Sequence, residues 1–371
     1  MLPEAEPDGD PDPPGDWQDP QQVAESLRAA YESRLALLLK EELEFLVPLL
    51  TAYPKCYWIW SHRLWTLHQS SLLLRGSKAT AFWTKELALV GMMLTRDARN
   101  FHGWMYRRRV VAHIENSALV PGENTGAMVR DEFRYTIWML TGAGGMKNYS
   151  AWHQRRMLIP RLLKEEGRDD QEKMDFLEDE LELLERAIRT DPDDQSLWFY
   201  HRWLVLARDD SAIAPKMPPS LRAEMLGQQI DMLRELLDEH PECKYILKAL
   251  VVYVQALQGL RREPPDGDDD HGHDHGGGGV DGVSEAAEGR EMLGWLERLE
   301  AIDPMRRGRY KDLGALLARS CPRGPGEHSN ADSSLSERNM RNAAEPCPEW
   351  WIVCATQKSI SHSVVMPGAS P

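Results

Sequence analysis

The sequence has few cysteines and no apolar run long enough to cross a membrane. Its five cysteines are scattered, odd in number and without paired spacing, so neither a disulfide framework nor a zinc knuckle is indicated. No stretch approaches the roughly 20 apolar residues that a bilayer crossing needs. The segment "MLPEAEPDGDPDPPGD" also lacks the basic and apolar regions of a secretory signal. We therefore expect a cytoplasmic protein that does not span a membrane.

The chain also lacks an excess of positive charge. Its formal net charge is -15, and two acidic segments, residues 1–20 and 263–290, account for all of it. The remaining residues are electrically balanced, so they offer no net cationic surface to neutralise a phosphate backbone. We therefore expect no nucleic acid as the main partner.

One of these acidic segments is also rich in glycine and histidine. Residues 263–290 contain too few apolar side chains to bury, which predicts a disordered loop. Histidines at positions 271, 273 and 275 could bind a transition metal weakly, but a mobile loop gives them no fixed geometry. We therefore predict no metal site in this chain. The predicted domain layout is a disordered acidic N-terminus at 1–20, a helical-repeat domain at 21–319 that contains the loop, and a disordered tail at 320–371.

The rest of the chain repeats itself around tryptophan. The stretches "WSHRLW", "WMYRRRV", "WHQRRML" and "WFYHRWL" begin at Trp60, Trp104, Trp152 and Trp198, at intervals of 44, 48 and 46 residues. A nearly fixed period of this size is typical of stacked helical hairpins.

Each repeat contains the pattern of two helices. The first helix has apolar residues near i, i+4, i+7 and i+11, as at Leu177, Leu181, Leu184 and Ile188. Turns such as "DARN", "MKN", "TDP" and "HPE" then end it, and the second helix begins near the tryptophan. This pattern predicts an all-α fold, a right-handed solenoid of antiparallel helical hairpins.

The second helices carry arginine next to tryptophan. Arg108 and Arg156 each follow a tryptophan by four residues and share its helix face. We expect the tryptophans to fill the space between hairpins and the arginines to hold neighbouring carbonyls or carboxylates. An aromatic and basic groove for single-stranded nucleic acid is the alternative that this pattern leaves open.

Several passages resemble one family closely. They are "PKCYWIWSHRLWTL", "DARNFHGWMYRRRVV", "DPDDQSLWFYHRWLV" and, further on, "HPECKYILKALVVY" with "EAIDPMRRGRYKDL". Together they are similar to the α subunits of the protein prenyltransferases, and among these to the α subunit of the type II, or Rab, geranylgeranyltransferase. The resemblance covers about residues 40–319.

The resemblance implies half of a heterodimeric enzyme. In that family a crescent of helical pairs wraps around a β subunit, which holds zinc and most of the lipid pocket. The implied reaction transfers geranylgeranyl from geranylgeranyl diphosphate to C-terminal cysteines of Rab GTPases presented by Rab escort protein. No Cys, His and Asp set outside the loop of this chain has zinc-ligand spacing, as expected if the β subunit holds the metal.

The resemblance also implies site residues. Lys55, with Tyr57 beside it, corresponds to the catalytic lysine segment that binds the diphosphate, where a fixed cation stabilises the charge on the leaving oxygen. Asn100 and His102 correspond to residues near the mouth of the site, in supporting or substrate-facing roles. From the residues alone, Lys55 would be a solvated surface lysine, Asn100 a helix cap and His102 a partly exposed histidine.

Two other functions remain open at this point. The chain could be the α subunit of farnesyltransferase or type I geranylgeranyltransferase, which act on C-a-a-X proteins. It could also be a non-catalytic adaptor that uses the same helical repeats to bind a partner.

Overall fold

A computed structural model describes residues 19–117, 126–142, 145–262 and 280–320. These residues form twelve α-helices, one short 3-10 helix and no strand, which confirms the predicted all-α stack of helical hairpins. The α-helices are α1 (Pro20–Ala52), α2 (Tyr57–Leu73), α3 (Ser77–Arg96), α4 (Phe101–Ser117), α5 (Gly126–Thr141), α6 (Tyr149–Glu165), α7 (Asp170–Thr190), α8 (Gln195–Leu206), α9 (Pro219–Glu239), α10 (Lys244–Arg262), α11 (Val280–Ile302) and α12 (Arg307–Ser320). Within these ranges, no helix has the length and apolar character of a membrane span.

Consecutive helices pack as hairpins. The pairs are α1 with α2, α3 with α4, α5 with α6, α7 with α8, and α9 with α10, and second helices of neighbouring hairpins also touch, as α6 touches α8. Local sequence fixes the helix starts: Asp169 caps α7 in a capping box with Glu172. The apolar stripe predicted in α7, from Leu177 to Ile188, is buried. Packing of such stripes between hairpins holds the stack together.

The described residues differ from the predicted boundaries at both ends. Residues 1–18 lie outside the described residues, but Asp19 already caps α1 by accepting the backbone N–H of Gln21, and Pro20 occupies its first turn. The prediction of disorder through residue 20 was therefore too long. At the other end α12 includes Ser320, the first residue of the predicted tail 320–371, and residues 321–371 lie outside the described residues.

The predicted disordered loop was wrong over residues 280–290. Helix α11 begins at Val280, because the strong helix formers Ala, Glu, Arg, Met and Leu dominate after the glycine run. Residues 263–279, with the three loop histidines, lie outside the described residues.

The described part of the chain also divides into two compact units instead of the single predicted domain. One unit contains α1–α10 and the other contains α11, the 3-10 helix Pro304–Arg306 and α12. In the second unit Trp295 and Tyr310 are buried, and the Tyr310 hydroxyl donates to Asp303 Oδ2 at 2.7 Å.

A buried ion pair joins hairpin to hairpin in the first unit. Arg63 of α2 binds Glu86 of α3 through two hydrogen bonds of 2.7 and 2.8 Å. Two further pairs repeat this geometry, Arg107 with Glu132 and Arg155 with Glu180. Each arginine lies on a second helix, and each glutamate lies on the first helix of the next hairpin. We call these pairs the inter-hairpin couplings.

The couplings use the arginine next to the one that the sequence pattern singles out. The carboxylate-binding arginines follow their tryptophans by three residues, whereas Arg108 and Arg156 follow by four. Arg108 contacts Gln154 Oε1 at 3.4 Å, and the Arg156 guanidinium lies over the Trp203 ring at 5.4 Å. Positions i+3 and i+4 both lie near the tryptophan face, and the next hairpin's glutamate meets the i+3 side.

The fourth interface uses neutral groups instead. His201 stands three residues after Trp198, where the other repeats have arginine. Its ring nitrogens contact Gln229 Oε1 at 2.9 Å and the Tyr253 hydroxyl at 2.7 Å. Burial lowers the pKa of His201 to about 4, so this histidine is neutral at pH 7.

Candidate functional site

The four repeat tryptophans hold the turns that precede them. Each indole N–H donates to the backbone carbonyl six residues earlier, so the side chain of the second helix closes its own entry turn. The acceptors for Trp60, Trp104, Trp152 and Trp198 are the carbonyls of Pro54, Ala98, Met146 and Pro192, at 2.7 to 2.8 Å. In these four hairpins the turn therefore has the same position relative to the start of the second helix.

Asparagine ties two of these turns to the following hairpin. Asn100 Nδ2 donates to the Pro54 carbonyl at 2.9 Å, and Asn148 Nδ2 donates to the Ala98 carbonyl at the same distance. The oxygen of each amide caps its own helix: Asn100 Oδ1 accepts the N–H groups of His102 and Gly103. The turns of successive hairpins therefore form one hydrogen-bonded edge, which we call the turn edge.

Lys55 lies on this turn edge, directly after a carbonyl that accepts two hydrogen bonds. The Pro54 carbonyl accepts from both Trp60 and Asn100, so both of its lone pairs are used. The proline ring also restricts the backbone dihedral φ at this point. Lys55 itself is exposed, and within the described residues its ammonium group has no hydrogen bond or ion pair. A fixed backbone thus presents a free cation.

Exposed aromatic side chains surround Lys55 in the sequence. Tyr57 and Trp58 are both exposed, with ring centroids 4.5 Å apart, and Tyr53 is exposed as well. The resemblance predicts Tyr57 as a site residue, but it does not indicate the exposed Trp58 beside it. Its signal was available, because a tryptophan that precedes the buried Trp60 by two residues points away from the core. The first turn of α2 therefore presents a cation together with apolar surface.

The structure brings the other two predicted residues to the same edge in different ways. Asn100 is buried, and its amide is used for the cap and for the Pro54 carbonyl. It supports the Lys55 turn, and a direct contact with substrate would require breaking these bonds. His102 is half-buried at the start of α4, with its ring edge against Phe101. The substrate-binding roles of both residues, and the catalytic roles of Lys55 and Tyr57, stay predictions.

A separate cleft lies further along the turn edge and does not include Lys55. It has a volume of about 600 Å³, and its charged lining residues are Arg99, Lys147, Arg186 and Asp191. Lys147 forms an ion pair with Asp191 across it, which raises the pKa of Lys147. Two of the four charges in the cleft thus neutralise each other.

The chain does not supply a metal centre in the part that the structure describes. No group of three or more His, Cys, Asp or Glu side chains in these ranges could hold a metal ion. The two described cysteines, Cys56 and Cys243, are separate free thiols, and Cys243 Sγ donates to the Pro192 carbonyl. The side chains of these described ranges therefore do not fit zinc.

Comparison with known proteins identifies the repeats. The family model of the protein prenyltransferase alpha subunit repeat matches residues 39–70, 83–114 and 177–208. These stretches contain Trp60, Trp104 and Trp198. The hairpin of Trp152 has the same indole bond, asparagine tie and arginine coupling, so it is a fourth copy of the same structure.

Three curated relatives of this chain have the same name. The geranylgeranyl transferase type-2 subunit alpha of Saccharomyces cerevisiae is 39% identical over 44% of this chain and 46% of its own length. The same subunit of Schizosaccharomyces pombe is 31% identical over 62% of this chain and 61% of its own length. The human subunit is 35% identical over 56% of this chain and 35% of its own length. The chain thus spans less than two thirds of the length of each of these relatives.

Fold and repeats together define the class: this is an all-α helical-repeat protein, three stretches of which match the model of the protein prenyltransferase alpha subunit repeat. Within that class, the chain is similar to geranylgeranyl transferase type-2 subunit alpha. The resemblance inferred from the tryptophan motifs is confirmed.

Proposed function

We propose that this chain is the α subunit of a heterodimeric protein geranylgeranyltransferase of type II. The enzyme would transfer geranylgeranyl from geranylgeranyl diphosphate to C-terminal cysteines of Rab GTPases presented by Rab escort protein. We place the reaction in the cytoplasm and expect activity only with a β subunit. The observation that carries this proposal is the free Lys55 cation on a doubly bonded turn, in a chain similar to type-2 α subunits.

The proposed chemistry needs such a cation. The cysteine thiolate attacks the first carbon of the geranylgeranyl group and forms a carbon–sulfur bond. The carbon–oxygen bond to diphosphate breaks, and its electron pair leaves with the oxygen. An ammonium group held near that oxygen stabilises the growing negative charge, and removing one such donor commonly costs about 3 kcal/mol in the activation free energy.

Lys55 is suited to this task by its fixed backbone. Preorganised charge is effective because the protein has paid no reorganisation cost at the moment of reaction. The Trp60 and Asn100 hydrogen bonds to the Pro54 carbonyl restrict the turn, while the four-carbon lysine stem lets the ammonium reach a bound diphosphate. Tyr57 lies two residues away and would contribute its hydroxyl to the same anion.

The β subunit would cover the exposed aromatic side chains next to Lys55. Tyr57 and Trp58 have the amphipathic character that is enriched at protein interfaces. We expect zinc and most of the lipid pocket to lie on that subunit. In this view Lys55 completes a site that belongs largely to the partner.

Reconstitution tests the proposal against both rivals. The chain is co-expressed with a type-2 β subunit and, separately, with the β subunits of farnesyltransferase and type I geranylgeranyltransferase. Transfer of labelled prenyl groups is measured onto a Rab GTPase with escort protein and onto a C-a-a-X protein. We expect transfer to the Rab protein only. Transfer to the C-a-a-X protein instead would support the farnesyltransferase or type I reading. An intact complex that transfers no lipid to either substrate would support the adaptor reading.

A further inference from the structure

The turn edge presents a second cation in the same way as Lys55. Arg99 lies in the second turn where Lys55 lies in the first, five residues before the repeat tryptophan. The carbonyl of Ala98, directly before it, accepts from Trp104 Nε1 at 2.8 Å and from Asn148 Nδ2 at 2.9 Å. Arg99 is exposed, and in the part of the chain that the structure describes its guanidinium has no hydrogen bond or ion pair. The fold therefore holds the backbone at Arg99 and leaves the side chain unused.

The next two turns do not repeat this arrangement. Lys147 has the corresponding position in the third turn, but it forms an ion pair with Asp191. The hydrogen bond from Lys147 to Asp191 raises the pKa of the lysine. In the fourth turn the corresponding residue is Asp193, which has the opposite charge. The free cation of the second turn is therefore not a general requirement of the hairpin structure.

Arg99 lines the cleft on the turn edge, whose other charges are balanced. Asp191 binds Lys147, and Glu182 lies 3.4 Å from Arg186 in an ion pair. Arg99 is thus the uncompensated charge of the lining. The cleft volume of about 600 Å³ is within the range of about 300–1,000 Å³ that is usual for ligand pockets. The lining also contains apolar side chains, which are Met146, Leu183 and Ala187.

The lining favours a carboxylate that is attached to an apolar group. A guanidinium binds carboxylate or phosphate oxygens through two parallel hydrogen bonds. A single carboxylate balances the charge of Arg99, whereas a phosphate dianion or a diphosphate would add unbalanced negative charge beside Asp191. A bare anion would also leave the apolar part of the lining in contact with water, which an apolar neighbour of the carboxylate would cover. An aspartate or glutamate flanked by apolar residues in a peptide meets both requirements.

We propose that this cleft binds an acidic segment of a protein partner. The carboxylate of an aspartate or glutamate in that segment pairs with the Arg99 guanidinium, and a neighbouring apolar side chain packs against Leu183 and Ala187. The site is separate from Lys55 and does not depend on the proposed transfer reaction.

A short peptide of defined sequence serves as the probe. Acetyl-Leu-Glu-Leu-amide is titrated into the full chain, and the methyl NMR signals of Leu183 and Ala187 report binding. We expect saturable shifts, with binding at least about tenfold weaker for Arg99→Gln, because hydrogen bonds to charged groups contribute strongly. Acetyl-Leu-Gln-Leu-amide has the same shape without the charge and should bind the natural chain similarly weakly.

Arg96→Gln is the matched control for the arginine change. It removes an exposed arginine from the last residue of α3, outside the lining of the cleft. We expect this variant to bind the glutamate peptide as the natural chain does. Unfolding free energies should be the same for Arg99→Gln, Arg96→Gln and the natural chain, since both arginines are exposed.

Releasing the cation of the third turn tests the charge argument in the opposite direction. Asp191→Asn keeps the shape of the side chain and frees Lys147 from its ion pair. The glutamate peptide should then bind several-fold more tightly, because a second cation becomes available to its carboxylate. The affinity for the glutamine peptide should stay the same.

Several results would overturn the proposal. They are the absence of any shift with the glutamate peptide, equal binding of the two peptides, and equal binding to the natural chain and to Arg99→Gln. Inorganic diphosphate is the third probe. If it binds more tightly than the glutamate peptide, the cleft is a phosphate site and the proposal is wrong.

Discussion

Two kinds of cation occur in the repeats of the α1–α10 unit, one within the second helices and one in the turn before α2. Arg63, Arg107 and Arg155 are buried, and each has a carboxylate as its partner. Lys55 is exposed, and its ammonium has no partner in the described ranges. The arginines are needed to keep hairpins together, whereas the lysine is free to meet a ligand. A charged side chain within a repeat therefore indicates function only where the fold leaves it without a partner.

The fourth interface between hairpins has no ion pair of this kind among the described residues. There, His201, Gln229 and Tyr253 join the hairpins through neutral hydrogen bonds. Apolar packing and hydrogen-bond partners for the buried polar groups are therefore sufficient to join two hairpins. An ion pair is one way to provide those partners.

The largest effect is expected from breaking a coupling on one side. Arg155→Met leaves the Glu180 carboxylate buried without its cation, which should lower the free energy of unfolding by about 3–5 kcal/mol. Urea unfolding of the full chain followed by circular dichroism measures this. Arg186→Met, which removes an exposed arginine from the neighbouring helix, is the matched control and should change stability by less than about 0.5 kcal/mol. Equal effects of the two changes would contradict the conclusion that the inter-hairpin couplings hold neighbouring hairpins together.

The neutral interface should respond to pH. The pKa of His201 is about 4 in the folded chain because of burial, against about 6.5 when unfolded. The unfolded chain therefore binds the proton first on acidification. The stability that His201 contributes is complete above pH 6.5 and falls by about 3 kcal/mol as the pH drops to 4.

His201→Gln isolates this effect, because the pKa of His153 is also lowered to about 4. The variant keeps a side chain that can hydrogen-bond, so its overall stability can change while its pH slope becomes shallower. Unfolding free energies at pH 7 and pH 4.5 give the two slopes. Identical slopes for the variant and the natural chain would show that His201 is not buried in its neutral form.

A smaller effect is expected at Asn100, whose side chain supports the Lys55 turn. Asn100→Ser keeps a neutral oxygen acceptor that can cap α4 but removes the amide donor to the Pro54 carbonyl. We expect a loss of about 1 kcal/mol in unfolding free energy and a modest loss of transfer rate in the complex. Asn148→Ser removes the equivalent donor one hairpin further on and should cost similar stability with no loss of rate. A rate loss of equal size in both variants would contradict a specific role of Asn100 in positioning the Lys55 turn.

Much of this fold was readable from tryptophan spacing. The period of the repeats, the turns between helices and the buried stripe of α7 all follow from local pattern, and each is confirmed. The start of α11 was missed because Asp, Gly and His dominate the preceding residues and masked the helix formers that follow. The position of the coupling arginines was missed by one residue, since two positions on a helix face the same neighbour and only packing selects one.

The candidate site was less predictable. Lys55 and Tyr57 were named from a resemblance, and sequence alone would have treated Lys55 as an ordinary surface lysine. The hydrogen bond from Asn100 to the Pro54 carbonyl joins residues 46 positions apart, so no local pattern indicates it. Glutamates that follow the coupling arginines by 23 to 25 residues could have been found by aligning the repeats on their first helices.

The most direct measurement is the single-turnover rate of lipid transfer by the complex with the β subunit, for the natural chain and for Lys55→Ala. We predict a rate about a hundredfold lower in the variant, with unchanged complex formation and unchanged unfolding free energy. Lys85→Ala, which removes an exposed lysine from α3, should transfer at the natural rate. A Lys55→Ala complex that transfers lipid as fast as the Lys85→Ala complex would contradict the claim that the free cation of the turn edge serves the reaction.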